Sequence, residues 1–319
     1  MQFVDVRNDI AFKKIFGNEN KKEILMSFLN SVLDLSGDRE IDDLTILNPW
    51  QAPEIPSLKY TMLDIRAIDK RKVTFIVEIQ VQKKSGFEKR VQYYTSKAYV
   101  AQLKEGDNYH TLNQVIFIGI VEFNIFDGDD YLTRHKILNT STYRQELKDL
   151  EFNFIELPKF TRTEDELRGI TDKWIHFIKN AVSLHMVPKC ADFVEIKKAY
   201  EIANKMTWNE KELEIYDYWQ MRSRDEVGVF MAGEHEGLAK GLIEGERKGL
   251  AKGLMEGERK GLIKGLLGAI EGMLEIKYGS DGLALMDNIR GIEDIKKLED
   301  FKGRIKGAAS VEELRGRLL

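Results

Sequence analysis

The sequence predicts a mixed α/β domain, a small sheet flanked by helices, continued by a helical extension and a glycine-repeat tail. Apolar residues recur at helical spacing near the start of the chain, then alternate with period two between residues 58 and 82. A near-continuous β-branched and aromatic run at 114–123 reads as a strand buried on both faces. From Gly233 onward glycine falls at every fourth position through Gly265, which marks a separate regime.

The first helix has Asn8 or Asp9 as its cap, Phe12, Ile15 and Phe16 on its apolar face, and Gly17 as its stop. A second helix is expected at about 19–35, because Ile24, Leu25, Phe28, Leu29, Val32 and Leu33 share one stripe; Ser36-Gly37-Asp38 ends it. The stretch punctuated by Pro49, Pro53 and Pro56 should be irregular. Two strands, at about 58–68 and 73–82, are joined by Asp69-Lys70-Arg71-Lys72. Residues 86–104 return to helical spacing, with Phe87, Val91, Tyr94 and Ala98 on one side. Shorter strands are expected near 132–138 and 152–157, separated by a turn at Asp127-Gly128-Asp129-Asp130. Helices follow around 164–182, 192–206 and 208–223. This succession describes helices packed on a small central sheet.

The expected organisation is a core at 1–160, a helical extension of the same domain at 161–227, the repeat tail at 228–275 and a short helical segment at 276–319. The tail repeats GLAKGLIEGERK from Gly237 and GLAKGLMEGERK from Gly249, then GLIKGLLG. Each glycine costs a helix about 1 kcal/mol relative to alanine. A helix that forms against a second copy of itself is therefore expected, with a homodimer as the assembly it allows; the competing reading is a flexible tail.

Among 319 residues, 32% are charged, and no apolar run reaches the roughly 18 residues of a membrane helix. A charged beginning excludes a secretory signal, and the lone Cys190 excludes an internal disulfide; both point to a cytoplasmic protein. Cys190 reads as a small packing residue, and His176 and His185 as packing or surface residues. The net charge is −4, yet residues 64–97 hold nine basic side chains against four acidic ones. That local excess would draw a polyanion, with Lys83, Lys84, Arg90, Tyr94 and Lys97 as the candidate contacts.

The informative feature is the hairpin TMLDIRAIDKRKVTFIVEIQVQ. With its turn centred on Arg71, antiparallel partners have numbers that sum to 142, and Asp64 faces Glu78. Two carboxylates there sit with Cβ atoms about 4.5–5.5 Å apart, where like charges oppose pairing unless a cation joins them. Gln80 lies one pleat further on the same face as Glu78. Magnesium suits such a pair, since it takes oxygen ligands and accepts one or two carboxylates when phosphate and water complete its shell. The alternative is an amphipathic hairpin with Asp64 paired to Arg66 or Lys72 and Glu78 in solvent.

The order of FKKIFG on a first helix, LDIRA, VEIQ, then RVQYYTSKAY on a helix resembles the recombination-promoting nuclease and transposase-like family of the PD-(D/E)XK superfamily. The resemblance covers about the first 225 residues and implies a restriction-endonuclease-like core with DNA as partner. It makes Asp64 and Glu78 metal ligands, with the Ile79 carbonyl as a third, and magnesium, or manganese or calcium in its place, as cofactor. Gln80 stands where the superfamily has lysine, so Lys83, Lys97 or Arg90 would supply that charge. Asp9 matches an acidic position of family members and would assist through a water. The expected function is a DNA endonuclease; the competing one is a catalytically weak DNA-binding or protein-interaction module that keeps the fold.

Overall fold

The computed structural model describes residues 1–51 and 61–316. Pro53, Pro56 and the start of the strand expected at 58–68 lie outside these residues. No helix among them is long and apolar enough to cross a membrane.

The strands are β1 (Leu44–Leu47), β2 (Trp50–Gln51), β3 (Thr61–Met62), β4 (Ile65–Asp69), β5 (Thr74–Gln80), β6 (Val115–Val121), β7 (Leu132–Lys136) and β8 (Leu150–Glu156). Six of them form one mixed sheet in the order β1-β4-β5-β6-β8-β7, and β2 pairs with β3. The three central strands β5, β6 and β8 are parallel, whereas β1, β4 and β7 add antiparallel flanks. Every residue of β6 is buried, as the continuous apolar run requires of a strand covered on both sides. β1 departs from expectation. The sequence just before Pro49 pairs with β4, so the irregular stretch starts later than the prolines suggest.

One face of the sheet carries Phe75, Val77, Ile79, Ile116, Ile118 and Ile120 into the main core. That core is closed by α1 (Asp9–Phe16) and α2 (Glu23–Val32), and by α4 (Ile170–Asn180) and α5 (Val194–Ala203) further along the chain. The opposite face carries Ile76, Phe117 and Phe154 against Phe87, Val91 and Ala98 of α3 (Phe87–Val100). Asn8 caps α1, its side chain accepting the Ile10 N–H at 3.0 Å. α2 starts later than the expected residue 19 because a 3-10 turn, Glu19–Lys21, precedes it, while its apolar stripe begins at Ile24 as read. It also ends earlier, with Asp34 in the left-handed region at φ 52.

Two compact units divide the chain, Met1–Gly228 and Val229–Leu319. The first holds the sheet and the start of α6 (Glu210–Leu283). In the second, α6 continues through the glycine repeat. The glycines from Gly237 to Gly265 face open space, and Leu238, Leu242, Leu250 and Leu254 are exposed. Ion pairs Glu236–Lys240, Glu244–Lys248 and Glu256–Lys260 run along this helix at i,i+4. Towards its end Leu266, Ile270 and Leu274 pack with Ile289 of α7 (Met286–Ile289), Leu298 and Ile305 of α8 (Ile295–Gly307), and Leu314 of α9 (Val311–Arg315). The described part of residues 276–319, expected as a short helical segment, therefore shares a small core with the last turns of α6.

Gly119 of β6 is paired with Glu78 of β5. A Cβ at 119 would meet Phe117 Cε1 at 2.9 Å and Phe154 Cδ1 at 3.2 Å, inside the layer under α3. Gly119→Ala should therefore destabilise the first unit by about 1–3 kcal/mol through overpacking. Urea unfolding would measure it, and a variant of unchanged stability would show that the two rings relax freely.

Candidate active site

The site is built by one turn. The buried carboxylate of Asp69 accepts the N–H groups of Arg71 and Val73 at 2.9 and 3.0 Å, and Arg71 Nε at 2.8 Å. This locks the turn and with it the register: Ile65↔Val77, Arg66↔Ile76, Ala67↔Phe75 and Ile68↔Thr74. These are the pairs whose numbers sum to 142. One step further from the turn, just before the start of β4, the same register brings Asp64 opposite Glu78.

There the ladder is completed by side chains. The Asp64 N–H donates to Glu78 Oε1 at 3.2 Å, and Asp64 Oδ2 accepts the Ile79 N–H at 2.9 Å. Each acid thus binds the other strand's backbone, and the two carboxylates are held together at the sheet's end. Glu78 is only 9% exposed. Burial, reinforced by the Asp64 charge, pushes the Glu78 carboxyl well above the usual carboxylate range, while Arg90 and Lys13 oppose this shift. The alternative expectation of a solvated Glu78 is overturned. The cation that reaches Asp64 comes from α1 rather than from Arg66 or Lys72: Lys13 Nζ lies 3.3 Å from Asp64 Oδ1.

Gln80, half-buried at the end of β5, accepts a hydrogen bond from the Arg90 guanidinium of α3. Arg90 also lies over the rings of Phe87 and Tyr94, 5.3 and 5.9 Å from their centroids. It is therefore part of the site's wall. Asp9 is the first residue of α1 and not its cap. Burial and the Asp64 charge push its carboxyl above the ordinary value, with Lys13 and Lys84 opposing. Among the described residues no group of three or more His, Cys, Asp or Glu side chains could hold a metal ion, so Asp9 does not complete a carboxylate triad. The Ile79 side chain is in the main core, and its N–H is the group that touches Asp64.

Of the expected DNA contacts, exposed Lys83 donates to the Asn124 carbonyl at 3.2 Å, and exposed Lys84 pairs with Glu226 at 3.7 Å. Tyr94 packs half-buried against the apolar layer beneath α3, and Lys97 lies half-buried on the same helix. Sequence reading missed Lys13. Its signal was there: Asp9 and Lys13 are four residues apart in a helix and share a face.

The donor set is hard and anionic, two carboxylates held at one end of a sheet by backbone hydrogen bonds. It fits a divalent ion that takes few protein oxygens and leaves room for phosphate and water. A family described as PD-(D/E)XK nuclease family transposase has a sequence model that matches residues 6–231 of the chain. No curated protein and no solved structure matches it significantly.

The raised Glu78 carboxyl has a sign that can be measured. In the unfolded chain it ionises near 4.5, and in the folded chain only at higher pH, so metal-free folded protein loses stability as pH rises past 4.5. Glu78→Gln keeps an oxygen for the Asp64 N–H and removes the charge. Without divalent ions at pH 7 it should be more stable by about 1 kcal/mol or more, a Tm gain of roughly 2–4 °C. The difference should vanish below pH 4.5, and a Gln variant less stable than wild type at neutral pH would show that the charge is compensated.

Proposed function

Because the chain belongs to the PD-(D/E)XK nuclease family transposases, we propose that it is a metal-dependent endonuclease that hydrolyses DNA phosphodiester bonds at Asp64 and Glu78. The observation that carries this reading is the interlocked pair itself. A fold stabilised by apolar burial has no use for two acids forced together in a largely buried place, unless a cation joins them. Asp64 and Glu78 are the residues to hold magnesium, or manganese or calcium in its place, with the Ile79 carbonyl as a third oxygen. Bound there, the ion lowers the pKa of water and neutralises charge on the phosphate oxygens.

The chain's own residues do the rest. The Ile79 N–H fixes Asp64 Oδ2, so the carboxylate presents Oδ1 to whatever binds. Gln80, held by Arg90, is placed to orient a water or a phosphate oxygen, and Asp9 acts through a water. Lys83, Lys84, Tyr94 and Lys97 extend a basic and aromatic surface along β5's exit and α3 for the DNA backbone, and Arg90 joins that surface to the site. A second reading is favoured by the neutral Gln80: a DNA-binding or protein-interaction module with weak catalysis. Plasmid nicking separates the two. Asp64→Asn should lose magnesium-dependent nicking by at least about 100-fold, yet bind DNA in calcium as wild type does. In the same binding assay, Lys83→Ala with Lys97→Ala should flatten the log–log salt slope by about 0.9 for each phosphate left without its lysine. Nicking that survives in Asp64→Asn rules out the assigned chemistry.

We further propose that the repeat joins two copies of the chain. Its exposed leucines and its glycines without neighbours leave a stripe, winding around the axis by about 40° per four-residue step, that close backbone approach of a second such helix would cover along part of its length. A dimer would offer one metal site to each strand of a duplex. Light scattering should give twice the chain mass for the full protein and a single mass for a chain ending at Gly228; a monomeric full chain at micromolar concentration would make the repeat a spacer.

A further inference from the structure

Outside the pair itself, the site's positive charge comes from two helices on opposite faces of the sheet. Arg90 arrives on α3 and is engaged by Gln80 and by two aromatic rings. Lys13 arrives on α1 and is placed differently. Its ammonium sits 3.3 Å from Asp64 Oδ1, the oxygen left over once Oδ2 has taken the Ile79 N–H. Both partners are largely sheltered, with side-chain exposures of 28% and 12%. Oδ1 is the oxygen through which Asp64 would hold a cation. Lys13 therefore occupies, with one positive charge, the place where a divalent ion would bring two.

We propose that Lys13 is the movable charge of this site: it neutralises Asp64 while the metal is away, and passes to the phosphate when a divalent ion takes that oxygen. The inference rests on the metal-dependent reading above. Three observations suit Lys13 to the role. A lysine is a compact charge on a flexible stem, able to swing by several ångströms from a fixed Cα, whereas a planar guanidinium stacked on rings is not. Position 80, at the end of the strand that carries Glu78, holds a neutral side chain, so β5 itself brings no cation that could move to a phosphate. Lys13 also lies one turn beyond Asp9 on the same helix face, and Asp9 responds electrostatically to both Asp64 and Lys13. The displaced ammonium thus has a second acid to lean on beside the phosphate.

Competition gives the proposal a readout other than cleavage. Binding of Mn2+ to the full chain, followed by the loss of free-ion signal in electron paramagnetic resonance, should tighten several-fold in Lys13→Met, because the competing charge is gone. Lys13→Arg should stay within about two-fold of wild type. At saturating Mn2+, Lys13→Met should nick plasmid at least about 100-fold more slowly, the loss expected for one charge aimed at a developing phosphate anion. A lysine that merely braces the fold would act with the opposite sign, weakening ion binding as the site loosens. Mn2+ affinity unchanged or weaker in Lys13→Met overturns the proposal, as does wild-type nicking by that variant. Failure of the underlying reading is visible separately in the same titration: wild-type protein, and not only Glu78→Gln, would then take up no Mn2+, and the role of Lys13 falls with it.

Discussion

Two carboxylates held against each other at the end of a hairpin are the constraint around which the first unit is arranged. Left alone, Asp64 and Glu78 would separate. They are kept together because each accepts a backbone N–H from the other's strand, and because the Asp69 turn fixes the register, with four pairs between it and the acids. The surroundings answer the resulting charge from three directions: α1 sends Lys13, α3 sends Arg90, and the strand ladder sends amide dipoles. Removing any of these leaves buried negative charge with less to balance it. Such a site is costly to the apo fold, and that cost is what a cation and a phosphate would relieve.

Much of this was legible in the sequence, for reasons that differ by residue. The hairpin register followed from simple pairing arithmetic, since a period of two and a four-residue turn leave little freedom. The burial of β6 followed from its unbroken apolar run. The spacing of Asp9 and Lys13 marked a shared helix face, but not the meeting of Lys13 with Asp64, which spans some fifty positions and depends on how α1 packs on the sheet. β1 was obscured by the prolines that follow it, and the start of α2 by a 3-10 turn of polar residues that carries no signal against a helix. Arg90 was read as part of a DNA-facing surface and as one possible source of the charge that Gln80 lacks. The structure gives it an acceptor in Gln80, a contact that no spacing rule could have paired across ten residues and a change from strand to helix.

The second unit follows a different logic. In the repeat, helical structure coexists with glycine at every fourth position, and the evident local compensation is the series of Glu–Lys pairs one turn apart. Such pairs are worth about 0.3–0.5 kcal/mol each, less than the propensity lost at the glycines they accompany. Beyond the repeat the balance reverses. Lys277 donates to the carbonyls of Ile305, Lys306 and Ala308 at the end of α8, and Tyr278 adds a bond to Ala308, so those last turns are tied down by a small core and a capped helix end.

The bond from Ile79 to Asp64 has a consequence for how such a chain would drift. Because the aspartate's side chain stands in for a missing ladder carbonyl, position 64 serves the hairpin as well as any chemistry. A descendant that had stopped cutting DNA would still be under pressure to keep a short acceptor there, aspartate or asparagine, or lose the end of its sheet. Glu78 has less structural reason to persist: a buried acid beside another acid burdens the fold once no cation comes. In a lineage decaying toward a pseudoenzyme, the glutamate would be expected to go first. An intact Glu78 therefore says more about a working past than an intact Asp64 does.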